Sequence, residues 1–342
     1  MKVRPAQLLS LLTACIPATL PVLVAGPPGI GKSDIVAQAA SAAGHELLIS
    51  HPVVEDPTDS KGLPFPAADG SGARFLPFGD LEHVLTCKRP LVWFLDDLGQ
   101  ASPAVQAAKM QLLLARRIGE HVLPKHVTFV AATNRRQDNA GVSTFLDPLK
   151  SRFATIVELE VSIDDWTRWA VVNNTPPELI AFLRLKPELL LSKERASDIA
   201  NTYSPRTWNA VAKLSTVIPA DLQLVAFQGA VGEAAAAEYY AFKRVFSRMP
   251  SPDAVIAAPA TAPIPTELDV QHCLVAALAN YANESNFDRV MTYAERMYDA
   301  SLAEFAVMLV CDAVRRDPRI AATPAFIRAQ GRPIGEHIRG VA

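Results

Sequence analysis

Gly26-Pro27-Pro28-Gly29-Ile30-Gly31-Lys32-Ser33 is the stretch that decides how the rest of this chain is read. The octet satisfies G-x-x-x-x-G-K-[ST] at every fixed position. Pro21 to Ala25 before it is a short apolar run that reads as a buried strand, and Asp34 to Ala43 after it reads as a helix. In that setting the glycines let the backbone curl until its N–H groups point at an anion, and the helix N-terminus adds a favourable dipole. Lys32 is expected to reach the β- and γ-phosphates of a nucleotide, and the Ser33 hydroxyl to ligate Mg²⁺. Gly26, Pro27, Pro28, Gly29, Ile30, Gly31 and Asp34 complete the expected nucleotide-contacting set. A glycine-rich turn that merely precedes a helix is the bland alternative, and the flanking strand and helix together disfavour it.

Further apolar runs follow at Glu46 to Ser50, Leu91 to Leu95, Val127 to Thr133 and Thr155 to Leu159. Runs this short and rich in Val, Ile and Leu suit buried parallel strands. Helical segments alternate with them, notably Ser33 to Ala43 and Pro103 to Arg117, so the expected fold is an α/β sandwich around a parallel five-stranded sheet. Residues 5 to 16 read as a leading helix. The run Leu91 to Leu95 ends in Asp96-Asp97, which places two carboxylates at the ligand edge of the sheet. Asp96 is expected to hold Mg²⁺ through water, and Asp97 to orient or deprotonate an attacking water. Alone, the same pair reads equally well as a solvated acidic turn. The phosphate loop upstream favours the catalytic reading.

From Ile163 onward the strand signal disappears and helical stretches take over, ending near Arg248. The chain between Met249 and Pro265 is rich in Pro and Ala and reads as a linker or an extended wrap. The expected division is therefore 1–162, the αβα nucleotide-binding domain with an insert at about 51–80; 163–248, an all-α lid; 249–265, the linker; and 266–342, a C-terminal helical region whose last two dozen residues look loosely ordered.

Composition narrows the function classes. Half the residues are hydrophobic, a fifth are charged, and the formal net charge is −2 with no long basic run, so bulk electrostatic binding of nucleic acid is not suggested. The four cysteines are scattered without a C-x-x-C pair, which argues against a zinc site or a disulfide framework. Met1 to Leu12 faintly resembles a secretory leader, but Pro17 and Pro21 interrupt it and cleavage nearby would damage the strand before the phosphate loop. A cytoplasmic protein without a membrane span is expected.

Taken together these residues resemble the AAA+ ATPases. Val130-Ala131-Ala132-Thr133-Asn134 looks like the sensor 1 strand, Leu149-Lys150-Ser151-Arg152-Phe153 like the arginine-finger segment, and Ser204-Pro205-Arg206 like sensor 2. The resemblance implies that Asn134 helps place the attacking water, that Arg152 acts on a neighbouring subunit's γ-phosphate, and that Arg206 touches the nucleotide. Taken singly, Arg152 also fits a surface ion pair and Arg206 a loop cap. More narrowly the chain looks like the MoxR branch. Asp56 to Pro64 with Phe75 to Gly79, and Ala101-Ser102-Pro103 leading to Arg117-Ile118-Gly119, carry that likeness, which spans about residues 5 to 245. It implies an ATP-hydrolysing homo-hexameric ring that remodels or assembles a protein partner, commonly a von Willebrand factor A domain protein, with ATP and Mg²⁺ as cofactors. A DNA-acting motor and a slow nucleotide-gated scaffold are the competing readings; a small-molecule kinase would not need this ordered series. Where such proteins usually carry Glu, this chain has Asp97. The shorter side chain moves the carboxylate by over an ångström and is expected to slow hydrolysis, since misplacement of that order costs about a hundredfold.

Ser50 or His51, at the end of the second strand, is expected to hold the catalytic carboxylate inactive until a partner binds, Asp56 and Asp59 to form a polar turn rather than a metal site, and Arg116, Arg117, His121, Lys125 and His126 to line a pore or solvate a hairpin face. Arg135 and Arg136 fit either a subunit contact or solvent. Phe65, Phe75 and Phe78 are expected to pack the insert onto its own core rather than to grip a client.

Overall fold

The computed structural model describes residues 1–67, 70, 72–118, 121–135, 138, 145–194, 199–246 (Val245 by its backbone only) and 249–339. The chain divides into two compact units, Met1–Ser162 and Ile163–Ala342.

The first unit is an α/β sandwich of P-loop type. Its elements are β1 (Lys2–Val3), α1 (Pro5–Cys15), β2 (Val22–Ala25), α2 (Lys32–Ala42), β3 (Glu46–Ser50), α3 (Pro57–Lys61), β4 (Leu63–Pro66), β5 (Ala73–Leu76), α4 (Gly79–Thr86), β6 (Leu91–Leu95), α5 (Pro103–Ala115), β7 (Arg117–Ile118), β8 (His121–Val122), β9 (Val127–Thr133), α6 (Asp147–Lys150) and β10 (Thr155–Leu159). Six strands form one parallel sheet in the order β1-β10-β2-β9-β6-β3. The five expected strands are all there, and Lys2–Val3 adds a short sixth at the edge. Every residue of β6 and β9 is buried, which is why their sequences run apolar without alternation. Trp93 stacks on Phe129 with ring centroids 5.5 Å apart.

Register places the chemistry. Ala25 pairs with Thr133, and Leu95 with Ala131. The C-terminal ends of β2, β6 and β9 therefore open on one crevice, where an open α/β sheet binds ligands. Behind it lies a buried ion pair. Lys109 on α5 is 2% exposed, meets Glu55 at 2.6 Å and has its ammonium 5.0 Å from the Trp93 ring centroid.

The second unit is helical: α7 (Ile163–Val172), α8 (Pro177–Leu185), α9 (Pro205–Val217), α10 (Gln223–Val231), α11 (Glu233–Phe246), α12 (Pro252–Ala257), α13 (Leu268–Tyr281), α14 (Phe287–Asp299), α15 (Ala303–Arg316), α16 (Pro324–Ala329) and α17 (Gly335–Ile338). Phe182, Trp208, Phe227 and Tyr239 form one aromatic cluster. Ser204 caps α9 by accepting from the Thr207 N–H.

Of the two readings of residues 249–265, a linker and an extended wrap, the packing favours the wrap. The Pro- and Ala-rich stretch carries the helix α12 and buries Val255, Ile256 and Ala262 in the core formed by α13, α14 and α15. Arg296 donates to the Pro259 and Ala262 carbonyls, and the Tyr293 hydroxyl to that of Pro263. Carbonyls that proline-rich chain leaves unpaired are thus satisfied by distant side chains. The C-terminus, expected to be loose, is not, because Phe326, Ile334 and Ile338 are buried in the same core.

Candidate active site

The phosphate loop leaves β2 at Gly26, whose N–H donates to the Thr133 carbonyl at 3.1 Å. A Cβ there would lie 2.9 Å from Ile30 Cδ1 and 3.1 Å from the Leu159 carbonyl, so the loop is pressed onto the sheet edge. Gly29 and Gly31 have φ of 76° and 93°, which a side chain would resist. Gly31 caps α2, which begins at Lys32.

Lys32 is 7% exposed. Its ammonium donates to the carbonyls of Gly26 (3.0 Å) and Pro27 (2.9 Å) and to Asn134 Oδ1 (2.7 Å). A buried cation must be held by oxygen acceptors, and phosphate oxygens are acceptors of the same kind. Ser33 Oγ donates to Asp96 Oδ2 at 2.7 Å. Two hard oxygen donors from different elements thus meet beside the loop, a donor set that suits Mg²⁺. Asp34 is exposed in the first turn of α2.

Asp97 has φ of 56°, in the left-handed region, a conformation non-glycine residues hold only when their surroundings enforce it. Its N–H donates to Asp96 Oδ1 at 3.1 Å. Its Oδ1 accepts from Gln100 Nε2 at 2.7 Å and from Asn134 Nδ2 at 3.4 Å. Lys32, Asn134, Asp97 and Gln100 therefore form a continuous chain across the crevice. Gly99 makes the turn possible, because a Cβ there would sit 2.0 Å from Thr133 Oγ1. Neither Gly99 nor Gln100 was singled out from sequence. The turn after the acidic pair was the only signal, and it does not say which side chain returns.

Arg152 lies between α6 and β10, half-buried, with its Nε enclosed and without a partner among the described residues. Arg206 stands exposed in the first turn of α9 and makes no hydrogen bond or ion pair among the described residues. It belongs to the second unit.

Several expectations are corrected. Ser50 does not hold Asp97; its hydroxyl donates to Asp80 and accepts from Trp93 Nε1 at 2.7 Å. His51 is exposed. Asp56 and Asp59, by contrast, form the polar turn expected of them, a capping box on α3 with Asp56 accepting from Thr58 and Asp59 from the Asp56 N–H. Arg135 is tied within its own chain to Asp138 and Glu158, each at 2.7 Å. Arg116 donates to the carbonyls of Pro124 (2.8 Å) and Val127 (2.7 Å), tying the base of the β7–β8 hairpin, and His126 contacts the Cys87 carbonyl at 2.9 Å. Phe65 and Phe75 do not pack inward, being 48% and 41% exposed. Arg136 and Gly119 lie outside the described residues.

No family model matches the chain, and no curated protein matches it. Among solved structures it is similar to a RuvB mutant of Thermotoga maritima, at 18% identity and a TM-score of 0.41 over 80% of each chain. It is also similar to the Thermotoga maritima RuvB Holliday junction branch migration motor, at 17% identity and a TM-score of 0.35 over 86% of this chain and 76% of that one. NtrX from Brucella abortus is similar at 13% identity and a TM-score of 0.35, over 98% of this chain and 68% of its own. The fold assignment stands on this chain's own strand order and loop geometry rather than on likenesses so distant.

Proposed function

We propose that this chain is an AAA+ ATPase of MoxR type that hydrolyses ATP as a homo-oligomeric ring and uses the energy to remodel or assemble a protein partner. The observation that carries the hydrolytic reading is the convergence of Lys32, the Ser33–Asp96 pair, Asn134 and Asp97 at the ends of three neighbouring strands. Gly26 to Ser33 with Asp34 cradle the nucleotide. Lys32 and Arg152 stabilise negative charge on the transferring group, Arg152 acting from a neighbouring copy. Ser33 and Asp96 would hold Mg²⁺, which would neutralise charge on the phosphates. Asp97 takes the proton of the attacking water, Asn134 fixes that water's position, and Arg206 senses the nucleotide from the helical unit.

A protein partner is favoured by the β4–β5 hairpin. Leu63, Phe65, Phe75 and Leu76 are 41–50% exposed on its two faces, with Arg74 as the single basic side chain of its strands. Such a surface suits apolar protein contact better than phosphate contact. A von Willebrand factor A domain protein is the partner the resemblance suggests.

Complementation between two inactive variants tests the shared site. Lys32→Ala should lose nucleotide binding, whereas Arg152→Ala should bind ATP normally and turn it over slowly. Mixing the two should restore activity, because a Lys32→Ala copy still offers its arginine to an intact pocket. Full activity of Arg152→Ala alone, or no gain on mixing, would refute the in-trans role.

A further inference from the structure

We infer that Gln100 is a positioning residue that fixes one oxygen of Asp97 so that the other faces the reaction; this rests on the reading of Asp97 as the base. The Gln100 N–H donates to the Asp97 carbonyl at 2.9 Å while its side-chain Nε2 donates to Asp97 Oδ1 at 2.7 Å. Gln100 therefore holds the main chain and the carboxylate of the same residue. Asn134 also reaches Oδ1, but at 3.4 Å, and its amide oxygen is committed to Lys32. Hydrogen bonds weaken markedly over that difference in length, so Gln100 sets the orientation.

Both donors meet Oδ1, and Asp97 Oδ2 has no hydrogen-bond partner among the described residues. Oδ2 is thus the oxygen left to accept a proton. The turn cannot easily drift, because Gly99 is packed against Thr133 with no room for even a methyl group. Finally, Gln100 Oε1 is enclosed and lacks a partner among the described residues. A side chain serving only to close a turn gains nothing by enclosing an unmatched acceptor.

Gln100→Leu removes the donor at similar size. Turnover number should fall by roughly ten- to a hundredfold, with the KM for ATP and the affinity for ADP within about twofold of the parent, as expected when only transition-state placement is lost. ADP with aluminium fluoride, which mimics the transferring group, should bind more weakly by a similar factor, and the melting temperature should stay near the parent's. Gln100→Glu, which keeps the shape but sets a second carboxylate against Asp97, should lose turnover comparably, so either variant suffices if the other fails to fold. Adding Gln100→Leu to Asp97→Asn should cost nothing further, since the two act as one unit. A further multiplicative loss in that double variant, or parental turnover in both single variants at position 100, would overturn the proposal. Parental turnover in Asp97→Asn would instead sink the assignment of Asp97 as base, which separates the two failures.

Discussion

Gly99→Ala probes the join between fold and site. An added Cβ would lie 2.0 Å from Thr133 Oγ1, 3.1 Å from Thr133 Cβ and 3.3 Å from Phe145 Cδ2. Non-bonded atoms settle at about 3.5–4.0 Å between carbons, so the hydroxyl must retreat by more than about an ångström. Thr133 can rotate to move its oxygen, breaking the bond to the Asn134 carbonyl, but its Cβ cannot rotate away. The backbone of β9 or of the turn must therefore yield. Overpacking of this kind costs about 1–3 kcal/mol. The functional cost is expected to be larger in proportion, because the turn carries Gln100 and Thr133 precedes Asn134. A shift near 1 Å at such groups lowers turnover about a hundredfold. Urea denaturation with an unchanged m-value, alongside steady-state phosphate release, measures both effects. Thr133→Ala added to Gly99→Ala removes the worst contact and should recover most of the stability. Gly229→Ala is the control: Gly229 lies inside α10 with no atom within 4 Å of the added Cβ, and should stabilise by about 0.5–1 kcal/mol. If Gly99→Ala is as stable and as active as the parent, the close packing of the turn on β9 is wrong.

Lys109→Met should destabilise the first unit by about 3–5 kcal/mol by stranding Glu55 without its cation; Lys109→Met with Glu55→Leu should recover much of this, and equal midpoints for the two variants in a denaturation series would contradict it. Phe65→Ser and Phe75→Ser should each change stability by no more than about 0.5 kcal/mol, as befits half-exposed side chains, while weakening capture of a protein partner in a pull-down; a large drop in melting temperature would mean that the hairpin packs inward after all. Burial pushes the Cys15, Cys273 and Cys311 thiols up, that of Cys273 to about 12, where nearby Asp269 and Glu178 add to the effect. A raised thiol pKa keeps the proton on at pH 8 and suppresses the reactive thiolate, so alkylation of the native protein followed by peptide mass spectrometry should find Cys87 modified first, and faster labelling of Cys273 would contradict the buried assignment.

The five main strands were legible almost to the residue because buried parallel strands write themselves as unbroken apolar runs. The phosphate loop was legible because its glycines, lysine and serine answer to backbone geometry within eight residues. Residues 249–265 were not. Their prolines dictate an open local backbone, and what anchors it is Arg296 and Tyr293 from a later helix. Arg135 and Arg116 were misjudged for the same reason, since a charged side chain in sequence does not reveal the carboxylate or carbonyl that will meet it.

By itself, the sequence determined the strand–loop–helix unit around Gly26 to Ser33, the apolar runs of the sheet and the acidic pair at the end of β6. Tertiary structure alone decided that Lys32 meets Asn134 across 102 positions of chain and Ser33 meets Asp96 across 63, and that Gln100 rather than Ser50 holds Asp97. Local patterns reflect sterics and solvent exposure between near neighbours. Hydrogen bonds between side chains depend on ångström-scale placement, which only the strand order and register of the finished sheet supply.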